Sequence, residues 1–373
     1  MVQLDWVAAG APIVGILLVV LALFVGMASS VSGEGRMHFV GGLAVFMIAL
    51  LLLLLRDFTA ASDYNIYAVM YECAETLGRA LATDHGDFMF SLTMWLGQVL
   101  GLSFDGYLIF FSLLVLTLVG GGFALMAPRY APMAFALFLA TSTFVFLNVN
   151  VLRQGLAMGL MVLALGLWIA RYRLWALPVF LAIPFAHSRT GWLVIMALGG
   201  AGGLNRLHHF SLPVFAGLML FASLLVAFIL LPLNIALDGP GAGRMIHHAG
   251  RSGVTSELVL YMRIVVLWLV VALMIGVRHW HEGVLPPQLL HAYIALCALT
   301  TAVLPITLAS GRLVYMASAL IPVLLASLIG MRLPLPVRRL VASGLLLGGF
   351  TYAVFNYSYP SVVRQLGFGW LLG

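Results

Sequence analysis

The sequence contains no lysine: all 18 of its Lys and Arg positions, in 373 residues, are arginines. Genomic base composition is one explanation, since alanine and glycine are abundant, but it does not explain where the arginines lie. Arg153, Arg189 and Arg312 stand at the ends of apolar runs, where a charge is costly unless it has a function. The planar guanidinium matches phosphate oxygens bidentately, so this placement predicts a phosphate-bearing ligand.

Charged residues are scarce. They make up 8% of the chain, against 63% hydrophobic residues, and the mean hydropathy is +1.12. These values exclude a soluble domain of this length. No polar stretch is long enough to fold alone, so residues 1–373 are predicted to form a single integral membrane domain. The net charge of +6 does not indicate nucleic-acid binding, because the arginines are dispersed rather than gathered in a patch.

Several motifs are absent as well. Cys73 and Cys297 are a poor disulfide pair, because Cys297 lies inside an apolar run. The histidines are scattered, and neither an HExxH motif nor a carboxylate cage occurs, so no essential metal is predicted. A P-loop and a GxGxxG motif are also lacking. We therefore expect no cofactor, and the energy for any reaction must come from the substrate itself or from an ion gradient.

Apolar runs dominate the chain. A spanning helix needs about 20 mostly apolar residues, which predicts an all-α polytopic membrane protein with about twelve transmembrane helices. The two runs on either side of His187 are short, and they could be half-helices that meet at a polar site. The predicted spans are 11–28, 38–55, 106–126, 131–148, 154–170, 174–186, 190–204, 212–232, 257–276, 286–305, 313–330 and 339–357.

The two sides of the membrane hold nine arginines each, so the positive-inside rule does not decide the orientation. We place the short loops with few acids in the cytoplasm, which leaves both termini and two larger segments, 56–105 and 233–256, outside. The stretch Phe88–Leu102 is apolar with polar interruptions at Ser91, Thr93 and Gln98. It predicts an amphipathic helix that is interfacial or partly embedded.

Three short clusters at the helix ends carry possible chemistry. Arg153 and Gln154 open an apolar helix whose N-terminus favours anions, and Gly155 and Gly159 form a GxxxG spacing that lets two helices approach closely. Each arginine could instead snorkel to lipid headgroups. The other two clusters are His187-Ser188-Arg189-Thr190, whose histidine could act as a base, and Arg312 with Tyr315, which share a helix face.

The outer segments add carboxylates and aromatic rings, which suit sugars. Asp63-Tyr64-Asn65-Ile66-Tyr67 is one such element, and Asp84-His85-Gly86-Asp87-Phe88 is the other. A third stretch, in segment 233–256, contains Gly and Pro typical of a mobile loop, followed by Arg244, His247, His248 and Arg251. Acidic outer loops are also common without any binding function.

Taken in order, these elements resemble the EpsG-type proteins, relatives of the Wzy polymerases of bacterial exopolysaccharide and O-antigen. The resemblance covers roughly residues 60 to 320. The family usually has Glu before x-Gly-Phe, whereas here Asp84 precedes His-Gly-Asp-Phe, so Asp84 and Asp87 are alternatives for the acidic position. The resemblance implies a GT-C-like helical arrangement in the bacterial inner membrane, with the active site facing the periplasm or exterior.

The resemblance also implies the reaction: a growing glycan moves from polyprenyl pyrophosphate to a sugar hydroxyl of a lipid-linked repeat unit. Arg153 and Arg312, then Arg189, are expected to bind the donor pyrophosphate, and His187, then Asp63, to activate the acceptor. Expected partners are this lipid-linked oligosaccharide, membrane lipid and a chain-length regulator protein. A flippase and a glycan ligase are the alternatives. Further substrate-binding residues are expected at Gln154, Arg244, Arg251, Tyr315, Tyr67, Asp84 and Asp87.

Overall fold

The computed structural model describes most of the chain, and within the described part every regular element is helical. The protein is therefore an all-α polytopic membrane protein. The described residues are 3–32, 34–55, 63–83, 87–141, 143–144, 151–208, 211–237, 254–277, 286–304, 307–331 and 335–358.

The helices are numbered here in chain order. The first eight are α1 (Gln3–Val31), α2 (Gly35–Leu54), α3 (Tyr64–Glu72), α4 (Leu77–Thr83), α5 (Phe88–Val99), α6 (Phe104–Met126), α7 (Ala131–Ala140) and α8 (Leu152–Ile169). They are followed by α9 (Arg173–Ala186), α10 (Ser188–His208), α11 (Leu212–Leu237), α12 (Val254–Gly276), α13 (Pro287–Ala302), α14 (Thr307–Ser318), α15 (Ile321–Ser327) and α16 (Leu335–Ser358). Two 3₁₀ turns occur at Cys73–Glu75 and Leu328–Gly330.

Six stretches of the described chain are long and apolar enough to cross a membrane. Each coincides with one of the twelve predicted spans, while the count of twelve and the GT-C-like arrangement remain predictions. Some of the other predicted spans fall on shorter apolar helices such as α9. The six stretches are Ile13–Val31, Gly35–Leu54, Phe104–Met126, Leu152–Ile169, Leu212–Ile229 and Ser310–Gly330.

The helices form two compact units, one of residues 1–191 with 322–373 and the other of residues 192–321. In the first unit, α1 packs against α2, α7 and α16, and α8 packs between α6 and α9. Glycines allow the α6–α8 approach. A Cβ on Gly122 would lie 2.6 Å from the carbonyl oxygen of Val162, and one on Gly166 would lie 2.7 Å from that of Gly122. The predicted close approach at Gly159 is confirmed, since its Cβ would lie 3.1 Å from Leu118.

Helices α9 and α10 meet at a sharp elbow. His187 between them is extended, with φ −153° and ψ 91°, and its backbone N–H and carbonyl bond to Ile183 and Gly191 on either side. Gly191 lies so close to α9 that a Cβ there would be 2.5 Å from Cα of Pro184. Helix α9 has 14 residues, about 21 Å at 1.5 Å per residue. This is shorter than a hydrocarbon core of about 30 Å, as expected of a half-helix, whereas α10 has 21 residues and is longer than the predicted run 190–204.

The predicted helix at Phe88–Leu102 is confirmed as α5, but its polar side chains do not all face outward. Ser91 and Thr93 are buried, while Phe88 and Val99 are exposed. The Thr93 hydroxyl lies 2.7 Å from the Phe90 carbonyl oxygen and 3.0 Å from the Tyr107 hydroxyl. The Thr93 hydroxyl is therefore hydrogen-bonded inside the protein. The exposed face of α5 carries apolar side chains such as Phe88 and Val99, which is the opposite of an amphipathic helix whose polar face meets water.

The second unit contains most of α10 and helices α11 to α14. Within it, α13 packs against α11, α12 and α14. Two hydrogen bonds link α12 to α13: indole Nε1 of Trp268 donates to the Thr301 hydroxyl at 3.0 Å, and the Tyr293 hydroxyl donates to the Leu267 carbonyl at 3.0 Å. Helices α12 and α14 are also in contact. This last contact brings together side chains that are distant in sequence.

Candidate functional site

A carboxylate joins three segments of the first unit. Oδ2 of Asp87 lies 3.0 Å from a terminal guanidinium nitrogen of Arg153, and its Oδ1 accepts a 2.7 Å hydrogen bond from the backbone N–H of Ser188. The Asp87 side chain is 7% exposed, whereas that of Arg153 is 34% exposed. A buried carboxylate therefore anchors the guanidinium, while about a third of the Arg153 side chain stays exposed.

Each partner stands at the start of a helix. Asp87 immediately precedes α5, Arg153 is the second residue of α8, and Ser188 is the first residue of α10. The first N–H groups of a helix have no partner within the helix, and a negative charge there is favourable. One carboxylate thus stabilises the N-terminus of α10 and the arginine at the N-terminus of α8.

Tyr67 is a further contact of Arg153. Its ring is buried edge-on against Phe90, with centroids 5.6 Å apart. Burial raises the pKa of Tyr67 above its ordinary value of 10.0, the Arg153 charge opposes the rise, and the Asp63 charge adds to it. The hydroxyl oxygen accepts hydrogen bonds from the Arg153 side chain and the Leu152 backbone. Tyr67 therefore stays protonated near neutral pH and holds Arg153 from the side of α3.

The elbow between α9 and α10 adds buried polar groups. His187 is 6% exposed, and Gln154, next to Arg153, is 1% exposed. Thr190, one turn into α10, is also buried. Buried polar residues are uncommon unless they serve a structural or chemical role. His187 directly precedes Ser188, and the Ser188 N–H and the Arg153 guanidinium bond the same carboxylate, Asp87. The predicted base is therefore linked to the predicted cation through Asp87.

The second unit contains an arginine that is held by an aromatic ring. The guanidinium of Arg263 in α12 lies over the Tyr315 ring of α14, 5.2 Å from its centroid. Tyr315 is three residues after Arg312, so the two side chains share a face of α14. Arg263 lies inside the predicted span 257–276 and was not among the residues that the sequence suggested. The signal was present, since a charge within an apolar helix is itself unusual.

Some predicted site residues lie outside the described part of the chain. Asp84, Arg244 and Arg251 belong to this group, and the backbone of Arg189 is described within α10 while its side chain is not. Of the alternative acids, Asp87 is the one seen to pair with Arg153. The clamp of Arg153, Arg189 and Arg312 remains a prediction, because Arg153 belongs to the first unit and Arg312 to the second.

Comparison with known families identifies the family of the chain. The family model described as "EpsG family" matches residues 42–367, which is most of the chain and includes every site residue named above. The chain belongs to the EpsG family. Membership indicates a polysaccharide-polymerase type of function in a membrane protein. No curated protein and no solved structure gives a significant match.

Proposed function

We propose that this EpsG-family chain is a polysaccharide polymerase of the bacterial inner membrane. It moves a growing O-antigen or exopolysaccharide chain from polyprenyl pyrophosphate to a sugar hydroxyl of a lipid-linked repeat unit, at a site facing the periplasm or exterior. The observation that carries the proposal is the anchored but open Arg153, which Asp87 and Tyr67 hold beside the His187 elbow. It lies within the matched range 42–367.

In this proposal Arg153 binds the donor pyrophosphate. The leaving pyrophosphate carries negative charge, so preorganised cations in a water-poor site lower the barrier without having to donate a proton. A guanidinium has five N–H donors; Asp87 and Tyr67 engage part of this set, and the side chain remains about one third exposed. Arg312 and Arg189 are proposed to complete the clamp, with Gln154, Tyr315, Arg244 and Arg251 as further substrate contacts.

His187 is the first candidate for activating the acceptor, and Asp63 the second. The base takes the proton of the acceptor hydroxyl as its oxygen bonds to the anomeric carbon of the donor glycan. The bond from that carbon to the pyrophosphate oxygen breaks, and its electron pair leaves with polyprenyl pyrophosphate. The Asp63 charge raises the pKa of Tyr67, and the Tyr67 hydroxyl in turn bonds Arg153, which links this second candidate to the proposed pyrophosphate-binding residue.

We propose that the reaction needs no metal. In the described ranges no three His, Cys, Asp or Glu side chains come together as possible metal ligands. The test is polymerisation by purified protein on lipid-linked repeat units with and without a chelator. Unchanged product length supports metal independence, and loss of product that Mg²⁺ or Mn²⁺ restores would contradict it.

The decisive experiment on Arg153 compares it with a matched arginine. In a strain lacking the chain, Arg153→Ala is expected to shorten the surface glycan to about one repeat unit at normal protein level, since removing one transition-state donor lowers the rate about 100- to 1,000-fold. Arg173→Ala is the control, because Arg173 is exposed at the start of α9 and stacks on Trp168 at 5.5 Å. Full-length glycan in both variants would remove Arg153 from the mechanism.

Purified protein supplied only with polyprenyl-pyrophosphate repeat units separates the alternatives. A polymerase lengthens the units, a ligase leaves them unchanged until a second acceptor is added, and a flippase moves them across vesicles without changing their length. Lengthening that disappears in Arg153→Ala supports the proposal, and unchanged units with the wild-type protein contradict it.

A further inference from the structure

Arg263 differs from the other arginines that stack on aromatic rings. Arg129 lies in the turn between α6 and α7, over Tyr130 at 5.7 Å, and Arg173 is the first residue of α9. Both are near helix ends, where a guanidinium reaches lipid headgroups easily. Arg263 is the tenth residue of the 23-residue α12 and lies in an otherwise apolar stretch, where a charge is expected to serve a function.

The aromatic contact leaves the hydrogen-bonding groups of Arg263 available. A guanidinium that stacks on a ring uses its flat face, while its five N–H donors point outward in the plane. The side chain is half-buried. Among the described residues its recorded contact is the Tyr315 ring. A guanidinium whose flat face lies on a ring can still donate hydrogen bonds in its plane, and it can bind two oxygens of a phosphate bidentately.

The second unit contains more arginines than acids. Residues 192–321 contain six arginines and three acids, Asp238, Glu257 and Glu282. Glu257 is on the same helix but six residues away, and helical neighbours are three or four residues apart. None of the three acidic side chains belongs to the described part of the chain. In that part, then, no carboxylate occupies the Arg263 donors as Asp87 occupies those of Arg153.

Tyr315 links Arg263 to a second cation. The α12–α14 contact places the guanidinium on this ring, and Arg312 lies one turn earlier on the same face of α14. A diphosphate has two charged groups and is large enough to interact with both arginines.

We propose that Arg263, held by the Tyr315 ring, binds the pyrophosphate of the lipid-linked substrate together with Arg312. The inference deepens the proposed function and rests on it for the identity of the lipid. The chemistry that is recognised is a phosphoryl group on a membrane lipid. Lipid headgroups carry the same group, so the experiment compares the two sources.

The experiment measures binding to the full chain in nanodiscs of phosphatidylcholine, with fluorescent polyprenyl pyrophosphate as the probe. Arg263→Gln is expected to weaken binding about 10- to 100-fold, and Arg263→Lys by less, because the charge remains while the fork is lost. Arg173→Gln is the matched control and is expected to bind as the wild type does. Equal affinity in Arg263→Gln and Arg173→Gln would overturn the proposal.

Competition identifies the source of the phosphate. Inorganic pyrophosphate is expected to displace the probe from the wild type more effectively than from Arg263→Gln, which supports recognition of the diphosphate. Nanodiscs containing phosphatidylglycerol are expected to leave probe binding nearly unchanged. Displacement by phosphatidylglycerol at equal concentration would overturn the assignment, because Arg263 would then bind ordinary headgroups.

Kinetics separates this inference from the proposed function. With lipid-linked repeat units as substrate, Arg263→Gln is expected to raise KM about tenfold or more and to change kcat less, as expected for a binding residue. If the wild type binds the probe through Arg263 but does not lengthen the units, the proposed polymerase function fails and the inference stands. If it lengthens them and Arg263→Gln has the wild-type KM, the inference fails and the function stands.

Discussion

Arg153 and Arg263 are both arginines on largely apolar helices, but their guanidinium groups are held by different partners. Arg153 in the first unit bonds through its N–H edge to the Asp87 carboxylate and the Tyr67 hydroxyl. Arg263 in the second unit stacks its flat face on Tyr315. A carboxylate neutralises the charge and fixes its direction, whereas a ring supports the group and leaves its donors open. We therefore expect the Asp87 carboxylate to fix both the position and the direction of the Arg153 guanidinium. The Tyr315 ring is expected to support the Arg263 guanidinium without fixing the direction of its donors.

Among substitutions of the partners of these two arginines, the largest effect is expected from Asp87→Ala, which removes the carboxylate partner of Arg153. The pair is partly buried, since the Arg153 side chain is 34% exposed, so its loss is expected to cost about 1–3 kcal/mol of unfolding free energy. Polymer synthesis is expected to fall about 100-fold. Glu75→Ala is the control. It breaks the Arg79–Glu75 pair, whose side chains are 68% and 63% exposed, and such pairs contribute about 0.5 kcal/mol.

Thermal unfolding in detergent and glycan length in cells provide the two readouts. Asp87→Asn is expected to lie between wild type and Asp87→Ala, because an amide oxygen still accepts from the Ser188 N–H while the charge is gone. If Asp87→Ala and Glu75→Ala behave alike in both measurements, Asp87 does not organise the site.

Gly191→Ala tests the backbone on the carboxylate side of the comparison. Its new Cβ would lie 2.5 Å from the α9 backbone at Pro184, and backbone cannot move aside cheaply, so we expect a loss of about 1–3 kcal/mol. The forced shift also moves the Ser188 N–H relative to Asp87, and activity should fall. Gly199→Ala in the same helix is the control, since a Cβ there meets nothing within 4 Å and Ala favours helix by up to about 1 kcal/mol. Equal melting temperatures for the two variants would show that the elbow tolerates the methyl group.

The smallest effects come from the same change at both tyrosines. Tyr67→Phe removes a hydroxyl bonded to Arg153 and is expected to lower the free energy of unfolding by about 1–2 kcal/mol. Tyr315→Phe keeps the ring beneath Arg263, so its effect on probe binding should be smaller than that of Tyr315→Leu. Probe-binding titrations on all three variants check the order, and a Phe variant at position 315 as weak as the Leu variant would mean that the ring does not hold Arg263.

The pH dependence of stability offers a further check on Tyr67. Burial raises the pKa of Tyr67 in the folded chain, whereas in the unfolded chain Tyr67 has its ordinary pKa of 10.0. Below pH 10 this residue gives no pH dependence; above it, deprotonation favours the unfolded state and the wild type loses stability. Tyr67→Phe lacks this loss, so its melting temperature should gain on that of the wild type as the pH rises past 10. Parallel curves would place the hydroxyl in contact with solvent.

Local patterns predicted much of the candidate site. Arg153 and Gln154 at a helix start and the polar break at His187 could be predicted, because polar and charged residues in a membrane helix usually have a function. The pairing of Asp87 with Arg153 could not be predicted from local patterns, since it depends on a contact between residues 66 apart in sequence. Arg263 was overlooked because its partner Tyr315 is on another helix, and periodicity within one helix says nothing about such a partner.

The sequence alone determined the membrane class, the helical content and the family. Apolar runs of this length form helices, because a helix satisfies its own backbone hydrogen bonds in hydrocarbon, and the order of the short polar motifs indicated the family. The tertiary structure decided which charge meets which partner. Glycines set the distance between α6 and α8, the elbow at His187 turned a backbone N–H onto Asp87, and the α12–α14 contact placed Tyr315 beneath Arg263. These are long-range contacts, and their geometry follows from how whole helices pack rather than from any local run of residues.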